Sequence, residues 1–402
     1  MENTFNIVYF LMKISKQILI VLLGIILFPA NCISPFEPLG LKNTDGILVV
    51  EGMILETGTT IKLSHTVKLT ERLNTVPLSN YVSDAHIQVI DEAGNTVAIA
   101  EPQIIDGKIN PGTYIIKDTI IFTPLQKYAL TIQIGVKQYQ SAFVTPIRTP
   151  EIDEVNWILN DDLSLEIMVS THDSENEIRY VRWSFEEDWE IRSPLFASYR
   201  FDQSSIEIVE QNLYSPNNRY YCWDSDVSKS ILLGSADKLT EASFNNKTIH
   251  KIAAHDTRLS YLYSILVKQY GLNKEAFTYF ENIKNNLENS GSIFGPLPTE
   301  KPGNIQCLSN PDEMVIGYIT VSKETTSRIF INVSTLMILP QYFCDPESIS
   351  VSEMPMVYRN GGGIYQYDSR SDEFTYVPRK CVDCTELGGK KSKPNFWPND
   401  HL

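Results

Sequence analysis

The sequence predicts a mainly β protein, in which an N-terminal immunoglobulin-like β-sandwich is followed by a second β-sandwich-like domain carrying a helical insertion. Three observations carry this. Short segments of alternating apolar and polar residues, separated by turn residues, fill residues 47–149. Two prolines, Pro146 and Pro150, then break the pattern as an interdomain linker would. Beyond them the alternation resumes, and between Leu259 and Leu287 it gives way to apolar residues spaced three and four apart.

The elements follow in order. Residues 46–52 (GILVVEG) and 59–65 (TTIKLSH) read as two strands paired across Glu56, Thr57 and Gly58. Residues 85–91 (AHIQVID) and 96–99 (TVAI) flank a turn in which Gly94 and Asn95 tolerate left-handed backbone. Strands at 112–116, 127–134 and 137–142 bring the total to about seven, enough for a small sandwich whose sheets each bury one face. In the second domain, 163–169 (LSLEIMV) and 179–185 (RYVRWSF) alternate, and 206–209, 315–321 and 328–333 follow as later strands. Leu259, Leu262, Tyr263, Leu266, Val267 and Tyr270 mark one helical stripe. Phe277, Phe280, Ile283 and Leu287 mark another, after Asn273 as N-cap, so the helical insertion spans about 258–290. Gly361, Gly362 and Gly363 imply a turn with positive φ.

The N-terminus reads as an export signal. From Met12, the preferred start, two lysines precede an apolar run from Ile18 to Phe28 and then Cys32, the form of a signal peptide ending at a lipidation site. Asn31 stands where such sites usually carry Ala, Gly or Ser. The apolar run is about 11 residues, too short for a bilayer span of about 20. The expected organisation is therefore a signal peptide over 1–31, a lipid-anchored tether over 32–45, the first sandwich over 46–149 and the second domain over 150–402.

Composition narrows the partners. Against 34 Lys and Arg stand 49 Asp and Glu, and a net charge of -15 is repelled by phosphate backbones, so nucleic acid is not an expected partner. Anionic headgroups repel it as well, which leaves membrane attachment to acyl chains at about 0.8 kcal/mol per buried CH2.

With Cys32 lipidated, five cysteines remain in an exported chain, where disulfides are the default. Two bridges among Cys307, Cys344, Cys381 and Cys384 are expected to staple the C-terminal segment, with Cys222 unpaired and buried between Tyr221 and Trp223. Cys381 and Cys384 lack the second C-x-x-C or histidine pair of a zinc site, and neither metal nor cofactor is expected.

Catalytic signatures are missing. His250 and His255 do not have the H-E-x-x-H spacing, and neither a G-x-S-x-G elbow nor a P-loop occurs, so no catalytic residue is assigned and no enzyme activity is expected. The acidic groups at 161–162, 186–188 and Asp224 with Asp226 read as solvated loops rather than paired catalytic carboxylates or a calcium site. An aromatic cluster in the second domain supplies the ligand-contact candidates: Trp183, Trp189, Tyr221 and Trp223 would stack on a glycan or anchor a peptide if exposed. Alternation along a strand, as for Trp183 and Phe185, would instead make them core.

Several motifs occur in a fixed order: Phe36-Glu37-Pro38 after Cys32, LVVEG at 48–52, GSIF at 291–294 with Gly303-Asn304, VIGY at 315–318, and CVDC at 381–384 with Gly388-Gly389 and KPNFW at 393–397. With these motifs the chain resembles a Bacteroidota outer-membrane lipoprotein family of unknown function, over nearly the whole mature length. The resemblance brings no catalytic residues. Genes of that family commonly lie beside TonB-dependent receptors, which implies an accessory role at the outer membrane. Asp118-Thr119-Ile120 resembles the general O-glycosylation site of Bacteroidota exported proteins and makes Thr119 an acceptor candidate. The expected function is thus an outer-membrane lipoprotein with a non-catalytic binding or accessory role beside a TonB-dependent transporter. The alternatives are independent glycan or peptide capture, and a hydrolase whose site the sequence does not display.

A Cys32→Ala variant is expected to move from the membrane to the soluble fraction, as read by fractionation and immunoblotting; a variant that stays with the membrane refutes the anchor.

Overall fold

The computed structural model describes residues 46–67, 77–202, 207–215, 218–289, 303–336 and 340–399. Cys32, the signal segment, the tether up to 45 and the motif residues at 36–38 and 291–294 lie outside the described residues.

The first eight strands are β1 (Leu48–Gly52), β2 (Ile54–Leu55), β3 (Thr60–His65), β4 (His86–Asp91), β5 (Thr96–Ile105), β6 (Lys108–Ile115), β7 (Tyr128–Ile134) and β8 (Lys137–Ser141). They hydrogen-bond in the order β8-β7-β4-β5-β6-β3-β1, and β5 belongs to both halves of this folded sheet. Alternation decides which side chains turn inward: Ile61 and Leu63 of β3, Ile87 and Val89 of β4 and Leu130 and Ile132 of β7 are all buried in one core. Each such side chain contributes roughly 1.5–3 kcal/mol by leaving water. The turn after β4 is fixed by Asp91, whose Oδ1 accepts from the backbone N–H of Ala93 (2.9 Å) and Asn95 (2.8 Å).

Next come β9 (Ile152–Leu159), β10 (Leu165–His172), β11 (Tyr180–Arg192), β12 (Tyr199–Asp202), β13 (Glu207–Glu210), β14 (Tyr221–Val227), β15 (Leu232–Ser235), β16 (Ser243–Ile252), β17 (Leu262–Leu272) and helix α1 (Lys274–Asn289). One sheet runs β16-β10-β9 and another β14-β11-β17-β21, where β21 is Glu324–Asn332. Their facing side chains, among them Leu165, Ile167, Trp183, Phe185, Tyr263 and Ile265, form a second core. The proline-containing connection is tied down: Gln269 Nε2 donates to the Pro150 carbonyl (2.8 Å) while Gln269 Oε1 accepts from Trp183 Nε1 (2.7 Å).

Residues 262–270 correct the first helical stripe: they are strand, and the helix starts only at Lys274, after Asn273, whose Oδ1 caps the Ala276 N–H at 2.9 Å. The cause is two-sided burial. β17 lies between β11 and β21 and is covered on both faces, so its apolar residues run nearly continuously and imitate a helical spacing.

A second correction concerns β18 (Ile305–Cys307), β19 (Val315–Gly317) and β20 (Val321–Ser322), which return to the first sandwich. β18 pairs with β8, β19 runs parallel to β1 and β20 runs parallel to β2. The expected strand at 315–321 therefore packs with the first core, and no single cut near residue 150 separates the two. Gly303 and Gly317 bridge where the two ends of the folded sheet meet, and a Cβ on Gly303 would overlap the Gly317 carbonyl. Asn304 fixes the crossing with both ends of its amide, donating to the Ile319 carbonyl (2.9 Å) and accepting from the Ile319 N–H (2.8 Å).

The C-terminal part holds β22 (Glu347–Ile349), a short helix α2 (Met354–Arg359), β23 (Gly362–Asp368) and β24 (Glu373–Pro378), with the sheet order β22-β24-β23. Gly361 makes the expected left-handed turn at φ +86°. The disulfides are Cys222–Cys384, with Cα atoms 5.6 Å apart, and Cys344–Cys381, at 5.8 Å. This corrects the expected pairing in two places. Cys307 is reduced, because β18 buries it in the first core opposite Tyr139, away from the other thiols. Cys222 is bridged, because β14 brings it against the 3-10 turn at Cys384–Leu387.

Alkylation of the unfolded, unreduced protein is expected to label one of the five cysteines after residue 46, Cys307, and peptide mapping to recover 222–384 and 344–381 as cross-linked pairs; Cys307 found in a bridge refutes the assignment.

Candidate functional site

The four aromatic ligand candidates are core residues. Trp183, Trp189, Tyr221 and Trp223 are 1, 7, 9 and 5% exposed, so none offers a face to a glycan or peptide, and the aromatic shelf is withdrawn. The alternation of β11 explains the tryptophans: Val181, Trp183, Phe185, Trp189 and Ile191 point to one side, into the second core. Tyr221, Trp223 and Leu262 pack instead around Trp397 of the KPNFW motif, which closes a separate small cluster. Thr119 is exposed in the loop between β6 and β7.

The acidic run at 186–188 is also not a solvated loop. Glu187, at 2% exposure, occupies an inward position of β11. Its Oε2 accepts from the Tyr263 hydroxyl (2.7 Å) and lies 3.1 Å from His250 Nε2, while its Oε1 accepts from Arg258 Nη1 at 3.0 Å. Burial alone would raise this carboxyl; the hydrogen bonds of His250 and Tyr263 and the charges of His250 and Arg258 outweigh it and hold the group below its ordinary range. Asp188, on the other side of the strand, pairs with Arg328 at 3.1 Å. Asp162 caps its own turn, accepting from the Ser164 N–H at 3.0 Å. Among the described residues, no three metal-ligating side chains converge.

A small arginine-lined cleft lies between the β12–β13 hairpin and the C-terminal sheet. Arg200 reaches it from β12, Arg219 from the segment before β14, and Arg379 and Asp383 from the turns around Cys381. Tyr358 of α2 and Gly363 of β23 complete the wall. Three arginines and one carboxylate line the wall itself, and two of the arginines have acidic partners at its margin, Asp202 for Arg200 and Glu386 for Arg379.

Each arginine is held differently. The Arg379 guanidinium lies 4.1 Å over the Tyr358 ring, donates to the Tyr358 carbonyl and, through Nη1, to Glu386 Oε1 at 3.2 Å. Its buried Nε–H has no acceptor among the described residues. Arg200 lies 3.5 Å from Asp202. Arg219 is fixed through its backbone: its N–H donates to Gln211 Oε1 (3.0 Å), and its carbonyl accepts from the Cys384 N–H (2.8 Å) and the Ser193 hydroxyl (3.0 Å). Its guanidinium has no ion pair among the described residues. Asp383 Oδ1 accepts from the N–H (2.9 Å) and hydroxyl (2.6 Å) of Thr385.

Both disulfides end at this wall. Cys381 follows Arg379 by two residues, Cys384 follows Asp383 directly, and Cys222 lies three after Arg219. A Cβ on Gly389 would collide with the Cys222 side chain, so the second glycine of the Gly388-Gly389 motif lets the chain pass against the bridge. Lys391 then lies 4.5 Å from the centre of the Tyr221 ring and donates to the Tyr221 carbonyl; burial, and next the charge of Arg219, push its amine down to about 8. Sequence reasoning passed over these arginines, although their closeness to three cysteines was a usable signal. A wider groove of about 460 Å3 lies where α1 meets β15, but Asp237, Lys238, Lys274 and Glu281 mix both signs there and favour no ligand charge.

The chain matches, over residues 33–328, the family described as a domain of unknown function (DUF4249). No curated protein matches it. Among solved structures it is similar to a crystal structure of a Salmonella alpha-2-macroglobulin mutant, at 9% identity and a TM-score of 0.17, covering 82% of this chain and 16% of that one. Overlap at that score carries no argument about fold or function.

Lys391 supplies a pH test. Below pH 8 the amine is charged in both native and unfolded chains, and the cost of burying it is felt in full. Between about 8 and its ordinary 10.5 the native amine is neutral while the unfolded one stays charged, so native stability rises with pH. Urea midpoints of the wild type are therefore expected to gain on those of Lys391→Met between pH 7 and pH 9.5; a gap that does not move refutes the shift.

Proposed function

We propose that this chain, which belongs to the family described as a domain of unknown function (DUF4249), is a lipid-anchored outer-membrane protein with a non-catalytic binding role beside a TonB-dependent transporter. The observation that carries the binding role is the disulfide-braced, arginine-lined cleft, in which Arg219 has no ion pair among the described residues. It presents fixed hydrogen-bond donors, and its wall contains no nucleophile paired with a base. The anchor is supported by Cys32 at the end of a signal-like segment and by a family match that begins at the next residue, 33. Two disulfides suit a chain folded in an oxidising compartment.

Anchoring raises the local concentration of the cleft near an integral partner, so weak contacts suffice for a lasting association. Independent ligand capture, with a glycan or peptide taken up without a receptor, is the second reading; with its aromatic shelf buried, it rests on the same cleft. Exposure of Thr119 supports its modification by O-glycosylation.

The deciding experiment is an affinity pull-down of the tagged, lipidated protein from detergent-solubilised outer membranes, with mass spectrometry of the eluate. A TonB-dependent receptor is expected at near-equal stoichiometry. Recovery of the protein alone would overturn the accessory role and leave independent capture.

A further inference from the structure

We infer that the arginine-lined cleft takes a small ligand bearing a single carboxylate next to a hydroxyl or amino group, an inference that rests on the reading of this chain as a binding protein. Four features of the wall lead there. Arg219 is half-buried and its guanidinium has no ion pair among the described residues, on a chain whose excess charge is negative. A planar guanidinium offers two parallel N–H donors, the geometry that a carboxylate fills.

Arg379 adds a second donor surface that is already immobilised. Tyr358 beneath it and Glu386 beside it fix its plane, so little rotamer freedom remains to be lost on binding. Its buried Nε–H has no acceptor among the described residues.

Asp383 sets the ligand's charge and its second group. One of its oxygens is taken by Thr385. The carboxylate repels a dianion such as phosphate and matches an O–H or N–H next to the ligand's own carboxylate. Finally, the cleft is small and partly open to solvent, so it engages the carboxylate end of a ligand rather than enclosing the whole molecule. An acidic sugar and a free peptide C-terminus present this same chemistry.

The test is isothermal titration of the full-length protein in detergent. Glucuronate and alanyl-alanine are the carboxylate probes, glucose and alanyl-alanine amide their counterparts without the charge, and inorganic phosphate the dianion. At least one carboxylate probe is expected to bind, with its counterpart and phosphate tenfold weaker or worse; which probe binds tells acidic sugar from peptide terminus. Arg219→Gln is expected to weaken that binding at least tenfold with the thermal melt unchanged, since the backbone contacts of residue 219 remain. If that variant misfolds, Arg200→Gln on the β12–β13 hairpin replaces it with the same expected loss. Absence of binding by both carboxylates, equal binding of the uncharged counterparts, tighter binding of phosphate, or folded arginine variants that bind like wild type would each overturn the inference. Such a failure with a receptor still recovered in the pull-down removes the ligand class and leaves the accessory role standing.

Discussion

An ionised glutamate inside an apolar face is the constraint around which the second sandwich is organised. A lone carboxylate at the position of Glu187 would cost several kcal/mol to desolvate, and the fold offsets this with partners drawn from three other elements. Tyr263 comes from the neighbouring strand β17, His250 from β16 of the facing sheet, and Arg258 from the turn between them. Because each partner has a fixed reach, the cluster sets how the two sheets lie over one another as well as satisfying a charge. Removing one partner of such a buried group typically costs about 3–5 kcal/mol. Arg258 is itself held by Asp256 at 2.9 Å, so the last link of the cluster is oriented before it meets Glu187.

The cleft inherits its rigidity from that scaffold through covalent links. β14 pairs with β11 along Glu186–Arg192, and Cys222 on β14 carries the order of the central sheet across to the turn that bears Asp383. The Cys344–Cys381 bridge fixes the chain just beyond Arg379. A protein with a large negative net charge has thereby kept a small arginine-rich wall, where cations are positioned by backbone hydrogen bonds and ring stacking rather than by anions alone. Preorganised donors of this kind favour selective binding over tight but indiscriminate attraction.

Strand-rich organisation was legible because alternation is a local property. Seven strands of the first sandwich were marked by turn residues and by period-two burial, and the Asn273 cap identified the true helix start. What failed were features set by neighbours. β17 has apolar residues on both faces because β11 and β21 flank it within a covered sheet, and no window of its own sequence distinguishes that from a helix. Glu187 looked like part of a solvated run because its partners are 63 to 76 residues away in sequence.

By itself, the sequence determined the β character and the number of cysteines available for pairing, since each depends on local composition or short-range pattern. Only the tertiary structure decided which cysteines meet, that residues 305–322 complete the first sandwich rather than the second, and that Arg200, Arg219 and Arg379 share one wall. These are outcomes of long-range packing: Cys222 and Cys384 are separated by 162 residues, and their proximity follows from how β14 docks against the C-terminal turn.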